Sequence, residues 1–397
     1  MAVYKNVNKV APVTVSVNGF DCKSIVHNIK VYETICKPYI TAELTFNNNK
    51  GQLNYTQLQS GISPVGFQIL TGSGDTYSFS GIYTKAPDEF AAQNVGEGLV
   101  TIHAITTEYW NDKKNLVQKA AGRMTGTQAV RQIHNEYVNT TQIDILEESM
   151  GMMSMDSEGG YNVTNKSPFT AIREIGSRLV YGGSPASSTV HFRNRDSTVF
   201  GPAQALVRRL APTVTVEQKE TIGELGSNIF AEQGSKGADS ILASKIYKKE
   251  DAGDAIAAVA AAGGTAAVSK YDQYARFAQI GSTGSATNRG ITSSAIWNAA
   301  RNTEATDPSS KTVAEFQYKA AWAQAKNYLI KISVDSGFKP RVTVGNGIEA
   351  KMMAPLVQYT ATISGLFLIA DLMHDCYFDN REIMGTTTIR IVDPPKG

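Results

Sequence analysis

Residues 39–46 read YITAELTF, with Ile40, Ala42, Leu44 and Phe46 on alternate positions and the turn-forming run NNNKG directly after them. An apolar period of two puts those side chains on one face of a strand, and the Asn/Gly cluster stops it. The pattern then repeats: PVGFQIL (64–70) and TYSFSGIYT (76–84) flank TGSGD (71–75), and GLVTIHAITT (98–107) follows a polar stretch. Strands joined by short Gly and Asn turns bury their apolar rows by pairing antiparallel and curling into a small barrel or sandwich. The rest of the composition leans the same way, with 17 Tyr and 34 Gly in a chain of 397 residues. That length predicts two or three domains, each with its own core.

A second zone opens at Asn111 and is helical in part. Thr127 is placed to cap QAVRQIHNEYV, where Ala129, Val130, Ile133 and Tyr137 share a face, and QIDIL (142–146) follows as a short strand. In NKSPFTAIREIGSRLV (165–180), Ser167 is a natural N-cap and Pro168 sits at the first helical position. Phe169, Ile172, Ile175 and Leu179 form its buried stripe, and STVHFRNRDSTVFGP (188–202) reads as a hairpin. Between the two helices, MGMMSM (150–155) is loop, core filler or an adaptable contact surface.

The third zone starts near Ala203. TVTVE (213–217) and SILASKIYKK (240–249) are strand-like, and Asp251 to Ser310 is an Ala-, Gly- and Ser-rich insertion with little core of its own. KTVAEFQYKAAWAQAKNYLI (311–330) then reads as a helix with two apolar stripes, one through Val313 and Phe316 and one through Tyr318 and Trp322. Two stripes call for two packing partners, one of which can be another subunit.

Near the end of the chain, RVTVGNGIEAKMMAP (341–355) spells G-x-G-x-x-A through Gly345, Gly347 and Ala350, and Asp371 closes an apolar run some way on. A dinucleotide site needs the Gly loop to open a crossover helix and needs further βα units after the acid. Pro355 interrupts the segment where that helix would run, and LVQYTATISG (356–365) alternates like a strand. Gly345 and Gly347 therefore read as a strand turn, with Asp371 on or beside a strand. Gly72 and Gly74 lack the Gly-Lys-Ser/Thr of a phosphate loop and make a hairpin turn. His374 and Cys376 point the same way on a predicted strand, but a metal or catalytic set needs a third partner. His27, His103, His134 and His191 are scattered singly. No catalytic, cofactor-binding or metal-ligating residue is assigned, and an enzyme is not expected.

The net charge of +2, with 38 Lys and Arg against 36 Asp and Glu, gives no basic footprint for nucleic acid. The pairs Lys113/Lys114, Arg208/Arg209 and Lys248/Lys249 are isolated solvated charges. Cys22, Cys36 and Cys376 have no C-x-x-C spacing and read as reduced thiols in cores. The opening residues MAVYKNVNKVAPVTVSV lack an apolar stretch of signal length, and Ala255 to Val268 is too short and weak to span a bilayer. Assembly in a cytoplasm, without a membrane anchor, is the expectation.

The order of elements in the third zone carries a resemblance. A helix AEFQYKAAWAQAKNYLIKISV, turn-rich VGNGIEAKMMAP, the run SGLFLIADLMHDC and a closing TTTIRIV resemble the carboxy-terminal part of baseplate hub proteins. That family comprises the tail hub of contractile phages and the hub half of type VI secretion VgrG proteins. YETICKPYITAELTFNNNKGQL and YSFSGIYT are similar to its first barrel, and NKSPFTAIREIGSRLVYGG with the following hairpin is similar to its linking domain. SGIY (80–83) and SGLF (364–367) make an internal echo of two barrels.

The resemblance implies a mixed α+β, mainly antiparallel β protein: two tube-protein-like barrels joined by an α/β linking domain. Its divisions are 1–110, 111–203 and 204–397, the last interrupted by the insertion 251–310. It implies a homotrimer in a virion tail baseplate, presenting six barrels to a hexameric tail tube protein on one side and to a trimeric central spike protein on the other. Baseplate wedge proteins would be neighbours, DNA would be present only in transit through the channel, and no cofactor would be required. The stop at VDPPKG, without a further β-helical part, implies a spike on a separate chain. A tail tube initiator, another tail-tip structural protein and a tail-borne cell-wall hydrolase are the competing expectations.

Overall fold

The computed structural model describes residues 8–51, 53, 58–84, 98–121, 124–149, 161–176, 179, 181–182, 189–210, 212–219, 229–231, 245–251, 330–355, 360–379 and 382–392. The methionine cluster 150–155, most of the insertion 251–310 and nearly all of the helix expected over 311–330 lie outside the described residues.

The amino-terminal zone is built of strands β1 (Asn8–Val17), β2 (Phe20–Asp21), β3 (Val26–Thr34), β4 (Thr41–Asn47), β5 (Pro64–Thr71), β6 (Thr76–Thr84) and β7 (Leu99–Ile105). Alternation sorts their side chains as the sequence predicts: Ile40, Ala42, Leu44 and Phe46 are all buried, as are Val65, Phe67 and Ile69 of β5 and Tyr77 and Phe79 of β6. TGSGD makes the β5–β6 turn, where Gly74 takes φ +90° and Thr71 bonds Asp75.

The middle zone holds α1 (Thr107–Lys114), β8 (Val117–Ala121), α2 (Gly126–Ile133), β9 (Ile143–Ile145), β10 (Tyr161–Lys166), α3 (Pro168–Gly176), β11 (Thr189–Arg193), β12 (Thr198–Pro202) and α4 (Ala203–Arg208). The hairpin β11–β12 and the short strand β9 are as expected, β9 lying parallel to β12. Ile172 and Ile175 of α3 are buried against Ala129, Val130 and Ile133 of α2, and Phe169 is buried beside the rings of Tyr39 and His191. Leu179 packs on the same cluster from beyond the end of α3.

Two local expectations are corrected. The cap of α2 is Thr125, not Thr127: Thr125 accepts the Gln128 N–H while the Gln128 side chain accepts the Thr125 N–H, a reciprocal capping box. Thr127 lies inside the helix, where its hydroxyl meets Glu148. Cys22 and Cys376 are buried, but Cys36 is exposed, because it sits in the turn after β3 and not on an inward row.

The remaining strands are β13 (Pro212–Lys219), β14 (Ile229–Ala231), β15 (Lys245–Asp251), β16 (Ile330–Gly337), β17 (Gly347–Pro355), β18 (Thr360–Asp379) and β19 (Glu382–Val392). They join the amino-terminal strands in a sheet of 14 strands, antiparallel except for β13 beside β17. The protein is thus mainly antiparallel β with a few helices.

The long hairpin β18–β19 governs the topology. Its distal half pairs with the amino-terminal strands, Asp371–Tyr377 against Asn28–Thr34 of β3, and Met384–Gly385 of β19 against Asn8–Lys9 of β1. The pairings β18-β3-β4-β7-β6-β5-β1-β19 therefore return to β18 and close a circuit. Its proximal half pairs elsewhere, β18 with β17 and β19 with β16. One hairpin is shared by a closed set of strands and an open set, β14-β13-β17 on one side and β16-β15 on the other. The echo motifs SGIY and SGLF both lie in strands, β6 and β18.

Three clusters of buried residues follow this plan. One fills the closed circuit, with Phe46, Phe67, Phe79, Phe338 and Cys376 among its members. A second lies at the junction of the zones around Phe192, Val344, Ile369 and Ile389, and the third is the α2–α3 core.

Candidate functional site

The titratable groups converge at the junction. Glu33 falls on the inward row of β3 with Ile29 and Val31, and is 2% exposed. A carboxylate there is stable only with its lone pairs filled. Tyr77 of β6 donates its hydroxyl to Oε1 at 3.2 Å, and the Thr343 hydroxyl and the Val344 N–H both donate to Oε2. Thr343 in turn accepts the Arg195 N–H at 3.1 Å, and the Arg195 guanidinium donates to Pro340 O at 2.5 Å. One chain of hydrogen bonds thus runs from β3 through the 340–344 segment to the turn after β11, joining all three zones.

A second buried set lies beside the first. Arg193 donates from Nε to Glu108 Oε1 at 3.2 Å, and these side chains are 11% and 4% exposed. The Thr141 hydroxyl donates to the same carboxylate oxygen at 3.3 Å, and Arg193 also donates to Ser197 O at 3.0 Å. Burial pushes the Glu33 carboxyl up from its ordinary range, while its hydrogen bonds and the Arg193 charge pull it down. Tyr77 is pushed well up by burial and then by Glu33.

His374 and Cys376 do share the inward face of β18, and both are buried. His374 Nδ1 lies 2.9 Å from the Thr387 hydroxyl, which also accepts the Lys339 N–H, and the rings of Tyr77 and Phe338 each stand 4.9 Å from the imidazole. Its Nε2 has no hydrogen-bond partner. Burial, with the Arg195 charge, lowers the imidazole to about 3, and burial pushes the Cys376 thiol well up. Both groups are held neutral inside the closed circuit, a setting that suppresses thiolate chemistry.

His134 donates Nε2–H to Thr141 O at 2.8 Å, and His191 stands between the rings of Phe169 and Phe200. Burial lowers both, His191 to about 3. His27 is exposed and His103 lies 3.8 Å from Glu43. Among the described residues no group of three or more His, Cys, Asp or Glu is placed to hold a metal ion. No helix among them is long and apolar enough to cross a membrane.

The Gly-rich spelling resolves as a turn. Gly345 takes φ +85°, and a Cβ there would lie 2.7 Å from the Phe192 ring, so both backbone and packing require glycine. Its N–H donates to Ile369 O and the Ile369 N–H donates to Asn346 O, clamping the turn to β18. Gly347 and Ala350 lie in β17, and Asp371 lies on β18 opposite Thr34.

Sequence reasoning missed the Glu33 joint. Its signal was parity: in VHNIKVYETI, Glu33 shares the row of Ile29, Val31 and Ile35, and an acid on an apolar row predicts a buried partner set.

No protein-family model and no curated protein matches this sequence. Solved structures do match. A tail protein from Neisseria meningitidis is similar at 10% identity over 97% of this chain and 96% of that chain, with a TM-score of 0.52. The 43 kDa tail protein of prophage MuSo2 from Shewanella oneidensis is similar at 7% identity over 97% and 98%, with a TM-score of 0.47. An Escherichia coli type VI secretion component, itself similar to the bacteriophage T4 tail proteins gp27 and gp5, matches at 9% identity over 98% and 77%, with a TM-score of 0.45. The first of these likenesses, end to end on both chains, shows a shared fold.

Proposed function

We propose that this chain is a structural protein of a contractile tail, the baseplate hub that joins a hexameric tail tube to a trimeric central spike. The observation that carries the proposal is a fold shared with a tail protein over 97% of this chain and 96% of that one. On this reading the closed circuit is the first tube-like barrel, and the strands around β17, the proximal half of β18–β19 and β16 form the second. The α/β residues 111–203 link them, within divisions 1–110, 111–203 and 204–397. Three copies present six barrels in a ring, which converts threefold to sixfold symmetry around a channel for DNA in transit. The ring assembles in a host cytoplasm and ends in the virion baseplate, against the tube, the spike and the wedge proteins.

The buried polar joint supports a mechanical role over catalysis. Its carboxylates are occupied by Tyr77, Thr343, Arg193 and Thr141, and its partners come from all three zones. Such a joint sets the zones at a fixed angle, as a ring subunit needs.

Light scattering of the purified chain, with electron microscopy of the same sample, tests the proposal. A species near three times 42.8 kDa, seen as a ring with a central hole, is expected. A hexamer would favour a tube initiator, and a monomer that joins neither tube nor spike protein would overturn the hub.

A further inference from the structure

β6 is paired along one whole edge and along only part of the other. Tyr83 donates its N–H to Ser63 O at 2.8 Å, and its own C=O accepts the Gly61 N–H at 2.9 Å, so both groups face the β5 side. Backbone groups alternate sides along a strand. Tyr77, Phe79 and Gly81 therefore point their N–H and C=O toward β5, and Thr76, Ser78 and Ser80 point theirs the other way. β7 meets that other edge at Ile82–Thr84 and then turns off into α1. Among the described residues nothing bonds to the outward groups of Thr76, Ser78 or Ser80. At roughly 3.4 Å per residue this open stretch is about 14 Å long.

The stretch does not end in bulk solvent. It borders a cleft of about 660 Å³ whose lining includes Ser78 and Ser80 of β6, residues of β1 and β5, and Glu108, Thr141, Arg193 and Arg195. Glu108 and Arg193 neutralise one another there. Arg195 is different: its side chain is 32% exposed, its Nε pairs with Asp196 Oδ1 at 3.2 Å and its Nη1 donates to Pro340 O, and Asp196 is 69% exposed and outside the cleft lining. The cleft therefore offers backbone rungs together with one guanidinium whose acid partner, Asp196, stands in solvent.

We propose that the β6 edge is a strand-addition site for an extended, carboxylate-bearing peptide segment of another protein. Its main chain pairs with Ser78 and Ser80, and its carboxylate meets Arg195. Main-chain rungs supply affinity and the charge supplies selection, the division of labour in β-augmentation. The site stands on the β6 rungs and the cleft and does not depend on the hub reading.

The test uses the full chain and two synthetic eight-residue peptides of alternating Val and Ser, one with a central Asp and one with Lys in its place. Site-resolved hydrogen exchange is read at Ser78 and Ser80. The Asp peptide is expected to slow exchange at both amides, with the Lys peptide at least about tenfold weaker. Ser78→Pro removes an outward N–H and leaves the β5 ladder intact, so it should fold and lose the protection at Ser80, the reporter amide that remains. Arg195→Gln should weaken the Asp peptide about tenfold and leave the Lys peptide unchanged. No protection by either peptide up to about 1 mM, equal binding of the two peptides, or full protection in a folded Ser78→Pro variant would overturn the proposal.

Discussion

The interior of the closed circuit has two ends built on opposite principles. At one, Phe67 and Phe79 stack with ring centroids 5.1 Å apart among Val65, Ile69 and Leu44. At the other, Tyr77 of β6, Glu33 of β3 and His374 of β18 interlock with Thr343 through hydrogen bonds and ring contacts. The apolar end is non-directional, so another apolar side chain of similar volume fills it at modest cost. The polar end is directional, and removing one member strands the others without water. One end stabilises the circuit; the other fixes how it meets the rest of the chain.

Removing the carboxylate should separate the two ends most strongly. Glu33→Ala leaves the Tyr77 and Thr343 hydroxyls and the Val344 N–H unpaired, at a cost of about 3–5 kcal/mol. Glu33→Gln keeps one acceptor and should cost visibly less. Urea unfolding of the pair measures the difference, and a Glu33→Ala loss under about 1 kcal/mol would show that the joint is not under tension from burial.

Acid sharpens the same contrast. His374 and His191 have ordinary values of 6.5 and are lowered to about 3 in the folded chain. The unfolded chain therefore takes up protons first as pH drops below 6.5. Their stabilisation is fully present above 6.5 and falls by about 1.4 kcal/mol per pH unit per histidine down toward 3. Glu33, raised above 4.5, runs the opposite way and partly offsets this between 4.5 and its folded value. Stability measured from pH 7 to 5 should lose one histidine's share of its slope in His374→Phe, and an unchanged slope would count against burial of a neutral imidazole.

The smallest effect belongs to the apolar end. Phe79→Leu should cost about 1.5 kcal/mol or less, with no change in pH slope, because the cluster repacks. A loss as large as that of Glu33→Ala would erase the distinction between the ends.

Local chemistry made much of this fold legible. The strand 39–46, the β5–β6 turn, the Pro168 helix start and the Gly345 turn were all spelled by alternation, by ring-fixed φ or by a forced positive φ. The cap at Thr125 was equally legible in TGTQ, since a hydroxyl followed three residues later by Gln is the capping-box spacing. What no local pattern encodes is which distant strand closes the circuit. β18 carries the same apolar alternation whether it faces β3, β17 or both, and its double use is a property of register along a 20-residue strand.

That shared hairpin also sets an order of events during synthesis. Asn28 bonds Asp375, 347 positions further along the chain. At roughly 5–20 residues per second, β1 and β3 wait tens of seconds on the ribosome before their neighbours exist. Until then each presents an open edge of the kind that nucleates aggregation. The nascent amino-terminal half therefore needs shielding by a chaperone or by its own transient collapse, and truncations before residue 360 should accumulate as insoluble material.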